Sequence, residues 1–430
     1  MAMASGSLLL DNGYLIDGTG RAPFPNASVL VDADGLIAWA GPAADMPPLA
    51  GEVHRIDVQG AALLPGFIDT HVHVTAPGGG GINSLTEATL PATYLTLRAT
   101  ANLRATLNAG VTTIRDLGGA DTGIRQAVAD GIIVGPRMLT AIALISCTGG
   151  HGDSTFASGL TLNGLHRMSA VGDGEAECRR TARSLLRAGA DWLKVAATGG
   201  VWSPTDQPDD EGLDEAEIRT IVSVAGAHGK KVAAHAQGRE GIANAVRAGV
   251  ASIEHGYQID RQTTEQMIEC GTYLVPTLTT ATREPDRQKT QPVNYNKKMR
   301  WIGIARDHVP AAISSGVKVA LGTDCGVADH GANLTELDRL IEFGMTPMQA
   351  ILAGTRNAAD LLDMADQIGT IEAGKLADII VADGDPITDI KSLTDPERVI
   401  MVIQGGQIRK DSRGLAHEPR NLRSLSVASS

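Results

Sequence analysis

The chain opens on short apolar runs cut by turn signals. Segments 7–16, 27–31 and 36–40 are apolar or alternate apolar with polar, and Asn-Gly, Gly-Thr-Gly and Asp-Gly turns separate them. This texture predicts half-buried strands joined by tight turns. It returns at 377–381 and 399–403, followed by the hairpin-type pair Gly405-Gly406. Two β-rich ends around a different middle predict a small β-sandwich domain built from both termini.

The middle alternates short apolar runs with longer helical patterns. Candidate strands are 66–71, 112–116, 138–141, 192–196, 231–235, 252–255, 273–277 and 318–322. Helical periodicity lies between most of them, at 94–109, 175–188, 214–227 and 296–315. Eight such units in about 300 residues predict an α/β fold, a (β/α)8 TIM barrel. The expected division is 1–64 for the first sandwich part, 65–364 for the barrel and 365–430 for the second sandwich part. Gly110, Gly249 and Gly271 each follow a helical pattern as C-cap residues do. Two long loops are expected, at 76–85 after strand one and at 283–298 after strand seven.

Composition narrows the function classes. Apolar residues make up 43% of 430 residues, enough for a sizeable core, and aromatics only 3%, so aliphatic side chains must build it. The net charge of −12 and the lack of a basic block exclude a nucleic-acid partner and an anionic membrane surface. No apolar run is long enough for a membrane span. The four cysteines are scattered and form no C-x-x-C pair, which predicts a reduced, cytoplasmic setting as the chain is written; a removed signal peptide is the alternative.

The candidate chemistry lies on the predicted strands. His71 and His73 end the first, Lys194 lies in the fourth, His235 ends the fifth, His255 ends the sixth, and Asp324 follows the eighth. Strand C-terminal ends are where barrel active sites are built. Residues at i and i+2 of a strand point the same way, so His71 and His73 can grip one ion. Imidazole and carboxylate suit zinc, manganese or iron. Any one of these histidines alone would be an ordinary strand-end residue, and Lys194 alone a salt-bridged lysine paired with Asp116 or Asp324. Six of them converging on one face is not ordinary packing.

The sequence resembles the amidohydrolase superfamily in Pro65-Gly66-Phe67-Ile68-Asp69-Thr70-His71-Val72-His73, Lys194, His235, Ile253-Glu254-His255-Gly256 and Gly322-Thr323-Asp324. It is more closely similar to the prolidase-like, or Xaa-Pro dipeptidase-like, branch in Thr148-Gly149-Gly150-His151-Gly152-Asp153, Thr198-Gly199-Gly200-Val201, Val275-Pro276-Thr277 and His330-Gly331-Ala332-Asn333. That branch includes enzymes that cleave dipeptides, N-acyl amino acids and ochratoxin A. The resemblance implies two divalent metal ions, with zinc the expected metal. His71, His73 and Asp324 would hold one ion, His235 and His255 the other, and an N6-carboxylated Lys194 would bridge them. Asp324 would also be the general base and then acid of amide hydrolysis. It further implies a homo-oligomer acting on a small-molecule amide or dipeptide.

Three residues stay open between two readings. His151, flanked by glycines, either contacts the substrate in catalysis or caps a backbone group. Tyr257 either binds the substrate carboxylate or packs its ring on the rim. His330 either binds substrate or is a solvated loop histidine. Two other functions stand beside amide cleavage: a cyclic-amide or imidazolonepropionase-like hydrolase, and a catalytically dead barrel scaffold.

Overall fold

The computed structural model describes residues 6–49, 51–79, 90–153, 155, 158, 168–202, 206–288, 290 and 292–416. The leading strands are β1 (Ser7–Leu15), β2 (Phe24–Val31), β3 (Ile37–Pro42), β4 (Val53–Asp57) and β5 (Ala62–Pro65). The middle carries β6 (Phe67–Val72), β7 (Val111–Asp116), β8 (Arg137–Thr140), β9 (Leu144–Ser146), β10 (Ser169–Val171), β11 (Leu193–Ala196), β12 (Val232–Ala236), β13 (Ser252–His255) and β14 (Tyr273–Val275). The closing strands are β15 (Ile379–Ala382), β16 (Val399–Gln404) and β17 (Gln407–Asp411).

The leading and closing strands meet, as the sequence predicts, in one hydrogen-bonded sheet of eight strands. Its order is β17-β16-β15-β5-β1-β2-β3, with β4 also on β1. The branching has a local cause. The β1–β2 register breaks between Leu10 and Gly13, where Asn12 takes φ 56°. The first half of β1 then pairs with β4 and its end with β5. Leu10, Val29, Ile56, Leu63, Ile379 and Ile403 share a core on this sheet that is separate from the central one.

The central strands are parallel and wholly buried where they matter: every residue of β6, β7, β11, β12 and β13 is inaccessible. They form a three-stranded set, β6-β7-β8, and a six-stranded set, β10-β9-β11-β12-β13-β14, not one closed eight-stranded ladder. Two irregularities separate the sets. The expected third strand, 138–141, is β8, and the chain resumes as β9 beyond Ile142, which has φ 66°. The expected eighth, 318–322, is not a regular strand. It still hydrogen-bonds both neighbours: the Leu274 amide donates to the Lys318 carbonyl at 2.8 Å and the Thr70 amide to the Leu321 carbonyl at 2.9 Å.

Helices flank these strands. Gly174–Arg187 buries Cys178, Ala182 and Leu185 at spacings of four and three, one apolar stripe. Glu215–Gly226 starts at a capping box between Asp214 and Glu217. Gly249 (φ 90°) and Gly271 (φ 72°) end their helices in the left-handed region, as the sequence indicates. The helix expected from 296 begins earlier, as Pro292–Ser314, because Pro292 suits a first turn; it takes up part of the loop expected at 283–298. Of the loop expected at 76–85, residues 80–85 lie outside the described residues. No described helix is long and apolar enough to cross a membrane.

Candidate active site

His71 lies in β6, and His73 follows two residues later on the same side. The chain between them is locked to the segment after the irregular eighth run. The Asp324 amide donates to the His71 carbonyl at 2.8 Å, and the His73 amide to the Cys325 carbonyl at 2.7 Å. These bonds bring the Asp324 carboxylate to both imidazoles: Oδ1 lies 3.8 Å from His71 Nε2 and 3.4 Å from His73 Nε2. One ligand atom from each of the three residues lies within 4.8 Å of the others. Each ring's second nitrogen is committed elsewhere. His71 Nδ1 pairs with Glu254 Oε2 at 2.8 Å and His73 Nδ1 with the Gly118 carbonyl at 2.8 Å. That leaves both Nε2 atoms facing Asp324, the side on which a shared ion would be held.

The second group adjoins the first. The His255 ring centroid is 5.2 Å from that of His71 and 4.7 Å from that of His235. His235 Nε2 pairs with the Gly199 carbonyl at 3.0 Å, and His255 Nδ1 with Thr277 Oγ1 at 2.8 Å. Lys194 is buried in β11, and its Nζ has no hydrogen-bond partner among the described residues. The pairing with Asp116 weighed from sequence is absent, because the Asp116 carboxylate accepts the Val74, Gly118 and Ala120 amides instead. An unpaired buried ammonium is costly. Burial accordingly lowers the Lys194 pKa to about 8. It also pushes Asp324 up to about 7, against the pull of Lys194 and Lys298, holds His73 at about 4, and drives His71, His235 and His255 well below their usual value. Neutral imidazoles, a deprotonatable lysine and a nearby carboxylate form a donor set suited to divalent cations.

The backbone is bent to build this cluster. His255 (φ 75°), Thr277 (φ 48°) and Asp324 (φ 57°) are non-glycine residues in the left-handed region, at or just beyond strand ends. Such positions are rare and concentrate at functional sites.

His151 joins the site directly. Its ring stacks on His235, centroids 4.1 Å apart and 17° between planes. Its Nδ1 is 4.0 Å from Asp206 Oδ2, and burial lowers its pKa to about 4. Gly200 makes room for it, since a Cβ there would collide with the imidazole. Tyr257 is buried at the side of the cluster, its hydroxyl 3.2 Å from Thr277 Oγ1 and 3.4 Å from His255 Nδ1. His330 sits apart, six residues after Asp324 in the loop that follows the irregular eighth run. Its Nε2 pairs with the Ala76 carbonyl at 3.2 Å, and burial lowers its pKa to about 4.

Comparison with known proteins agrees with this geometry. The family model described as Amidohydrolase family matches residues 62–409. The chain belongs to the amidohydrolase family. Ochratoxinase from Aspergillus niger is 34% identical over 427 residues, covering 93% of this chain and 85% of that protein. The crystal structure of A. niger ochratoxinase matches with TM-score 0.85 at 31% identity, covering 97% of this chain and 98% of that one. A crystal structure of a prolidase complexed with N-methylphosphonate-L-proline matches with TM-score 0.87 at 32% identity, covering 94% and 100%. These relatives place the amidohydrolase in the prolidase-like branch, and it is a hydrolase of amide bonds.

Sequence reading missed several buried groups that shape this amidohydrolase's site. Asp69 accepts the Thr323 amide at 3.1 Å, the Thr323 hydroxyl at 2.6 Å and Asn333 Nδ2 at 2.8 Å, so it fixes the segment that carries Asp324. Glu336 accepts the Leu278 and Thr279 amides at 2.6 and 2.7 Å, and so holds the turn that presents Thr277. Lys298 donates to the Thr280 and Ala281 carbonyls at 2.6 and 2.8 Å. Asp69 was legible as an acid inside an apolar strand. Glu336 and Lys298 lie in helical patterns where charge is ordinary, so only their partners reveal them.

Proposed function

We propose that this amidohydrolase is a binuclear metal-dependent enzyme that cleaves the amide bond of N-acyl amino acids or dipeptides, with ochratoxin A within its substrate class. The observation that carries the reading is the converging His71, His73 and Asp324 set beside the partnerless Lys194 amine. His71, His73 and Asp324 would hold one ion and His235 with His255 the second. Lys194 would bridge them as a carbamate, formed when its neutral amine adds CO2 and releases a proton. A pKa of about 8 supports this: roughly a tenth of the amine is neutral at pH 7, against under a thousandth for an ordinary lysine. Bound divalent ions would supply Lewis acidity and a low-pKa water.

The chain's own groups do the rest. Asp324 would take a proton from the attacking water and return it to the leaving nitrogen. His151 faces the cluster from the stacked side and orients the substrate carbonyl. Tyr257, through Thr277 and His255, positions the second ligand group. His330, more remote, contacts the substrate from the loop after Asp324. The same reading takes the two parallel strand sets as parts of one (β/α)8 barrel at 65–364. The activities of these relatives, an ochratoxinase and a prolidase, support an acylated amino acid as the substrate.

The test is metal analysis of purified protein together with a panel of N-acyl amino acids and dipeptides ending in Pro, Phe, Leu, Lys or Arg. About two equivalents of metal and hydrolysis of at least one acylated amino acid are expected. Metal-free protein that stays inactive after zinc or manganese addition would refute the reading.

A further inference from the structure

The histidines of the cluster are not held alike. His73 and His235 each lean on a backbone carbonyl, and His255 on a hydroxyl. Of these four histidines, His71 is the one whose second nitrogen pairs with a carboxylate, Glu254 Oε2 at 2.8 Å.

That carboxylate is itself tightly held. Glu254 is fully buried in β13, one residue before His255. Its Oε1 accepts from Arg115 Nη2 at 2.9 Å and from the Ser252 hydroxyl. Arg115, fully buried in β7, also donates from Nε to the Thr70 carbonyl at 2.6 Å, and its guanidinium lies 4.4 Å from the Trp192 ring centroid. The guanidinium is thus held by β6, by β13 and by an aromatic face. A carboxylate with both oxygens engaged and no room to turn presents one acceptor to His71. A buried ion pair removed from water this thoroughly is weak evidence for stability, since its desolvation offsets its attraction. Its geometry calls for another role.

We propose that Glu254 is a positioning residue that fixes His71 with the proton on Nδ1 and the lone pair on Nε2, and that Arg115 aims Glu254 for that task. A carboxylate partner also makes imidazole a stronger donor than a carbonyl partner does. The inference rests on the metal-binding reading above. It adds that His71's affinity for the ion is set from β7, by Arg115, which does not touch the cluster.

Two measurements test it. In metal-free wild-type protein labelled with 15N-histidine, the His71 ring, assigned by its loss in His71→Gln, should show Nδ1 protonated and Nε2 bare. Protonation at Nε2 would overturn the proposal, whether or not the chain binds metal. This arm therefore fails separately from the proposed function. Second, chelator competition should give Glu254→Gln about 10- to 100-fold weaker metal affinity than wild type, with unchanged affinity overturning the inference. Should Glu254→Gln misfold because Arg115 loses its counter-charge, the charge-balanced pair Arg115→Met with Glu254→Gln takes its place. It should fold and show the same weakening. A purely structural role would lower the melting temperature of these variants and leave their metal affinity unmoved.

Discussion

The two halves of the cluster are built on different principles. The His71, His73 and Asp324 half converges on a common point and is held by charged groups and strand-to-strand amide bonds. The His235, His255 and His151 half is a run of rings packed on one another, 4.1 to 4.7 Å apart, held by a carbonyl and a hydroxyl. The first half has the rigidity of a preformed ligand set. The second has the softer restraint of stacking, which under the proposed function would suit a side that meets the substrate. Lys194 stands where the halves meet, and its charge lowers the pKa of histidines in both.

That difference can be broken at its joint. Lys194→Ala removes the proposed bridge, and kcat should fall by roughly 10³-fold or more, the several kcal/mol that metal chemistry contributes. Circular dichroism should show the fold intact. Retained activity would show that the halves work without it.

The restraint on the softer half has a pH signature. Glu336, which holds the turn carrying Thr277, has its pKa raised by burial from 4.5 to about 7. Its folded state therefore binds a proton more tightly than its unfolded state. The stability this gives is fully present below about pH 4.5 and is lost as pH rises through 7. Relative to Glu336→Gln, wild type should lose up to about 3 kcal/mol between pH 4.5 and pH 8 in denaturant unfolding. A constant difference would mean that the carboxyl titrates alike in the folded and unfolded states.

The smallest effect is expected at Tyr257. Tyr257→Phe deletes a hydroxyl that touches Thr277 and His255 but leaves the buried ring. About 1 kcal/mol, or a fewfold in kcat/KM, should be lost. An effect on KM for the free carboxylate of the substrate alone would move Tyr257 from positioning to direct substrate contact.

Much of the site was legible because its residues break an apolar pattern. A lysine between Leu193 and Val195, or histidines at the ends of buried strands, have no place in an ordinary core. The βα alternation was legible for the same reason, since strands buried on both faces are continuous apolar runs. What stayed hidden depends on partners distant in sequence. Nothing near Glu254 announces that it meets Arg115, and nothing near Glu336 announces Leu278. Strands β4 and β5 escaped because Val53–Asp57 is half polar and Ala62–Pro65 is only four residues long. The break at Ile142 and the irregular run at 318–322 are set by neighbouring segments rather than by local propensity.

The left-handed backbone at His255, Thr277 and Asp324 bears on anyone selecting a more heat-tolerant version of the enzyme. Each such position costs on the order of 1–3 kcal/mol, and glycine at each would recover much of it. Glycine would also delete an imidazole, a hydroxyl or a carboxylate that the cluster uses. Gains in heat tolerance sought at this rim would therefore be gains at the expense of turnover. The terminal sheet, with its separate apolar core and no share in the cluster, is where substitutions can raise the melting point without that exchange.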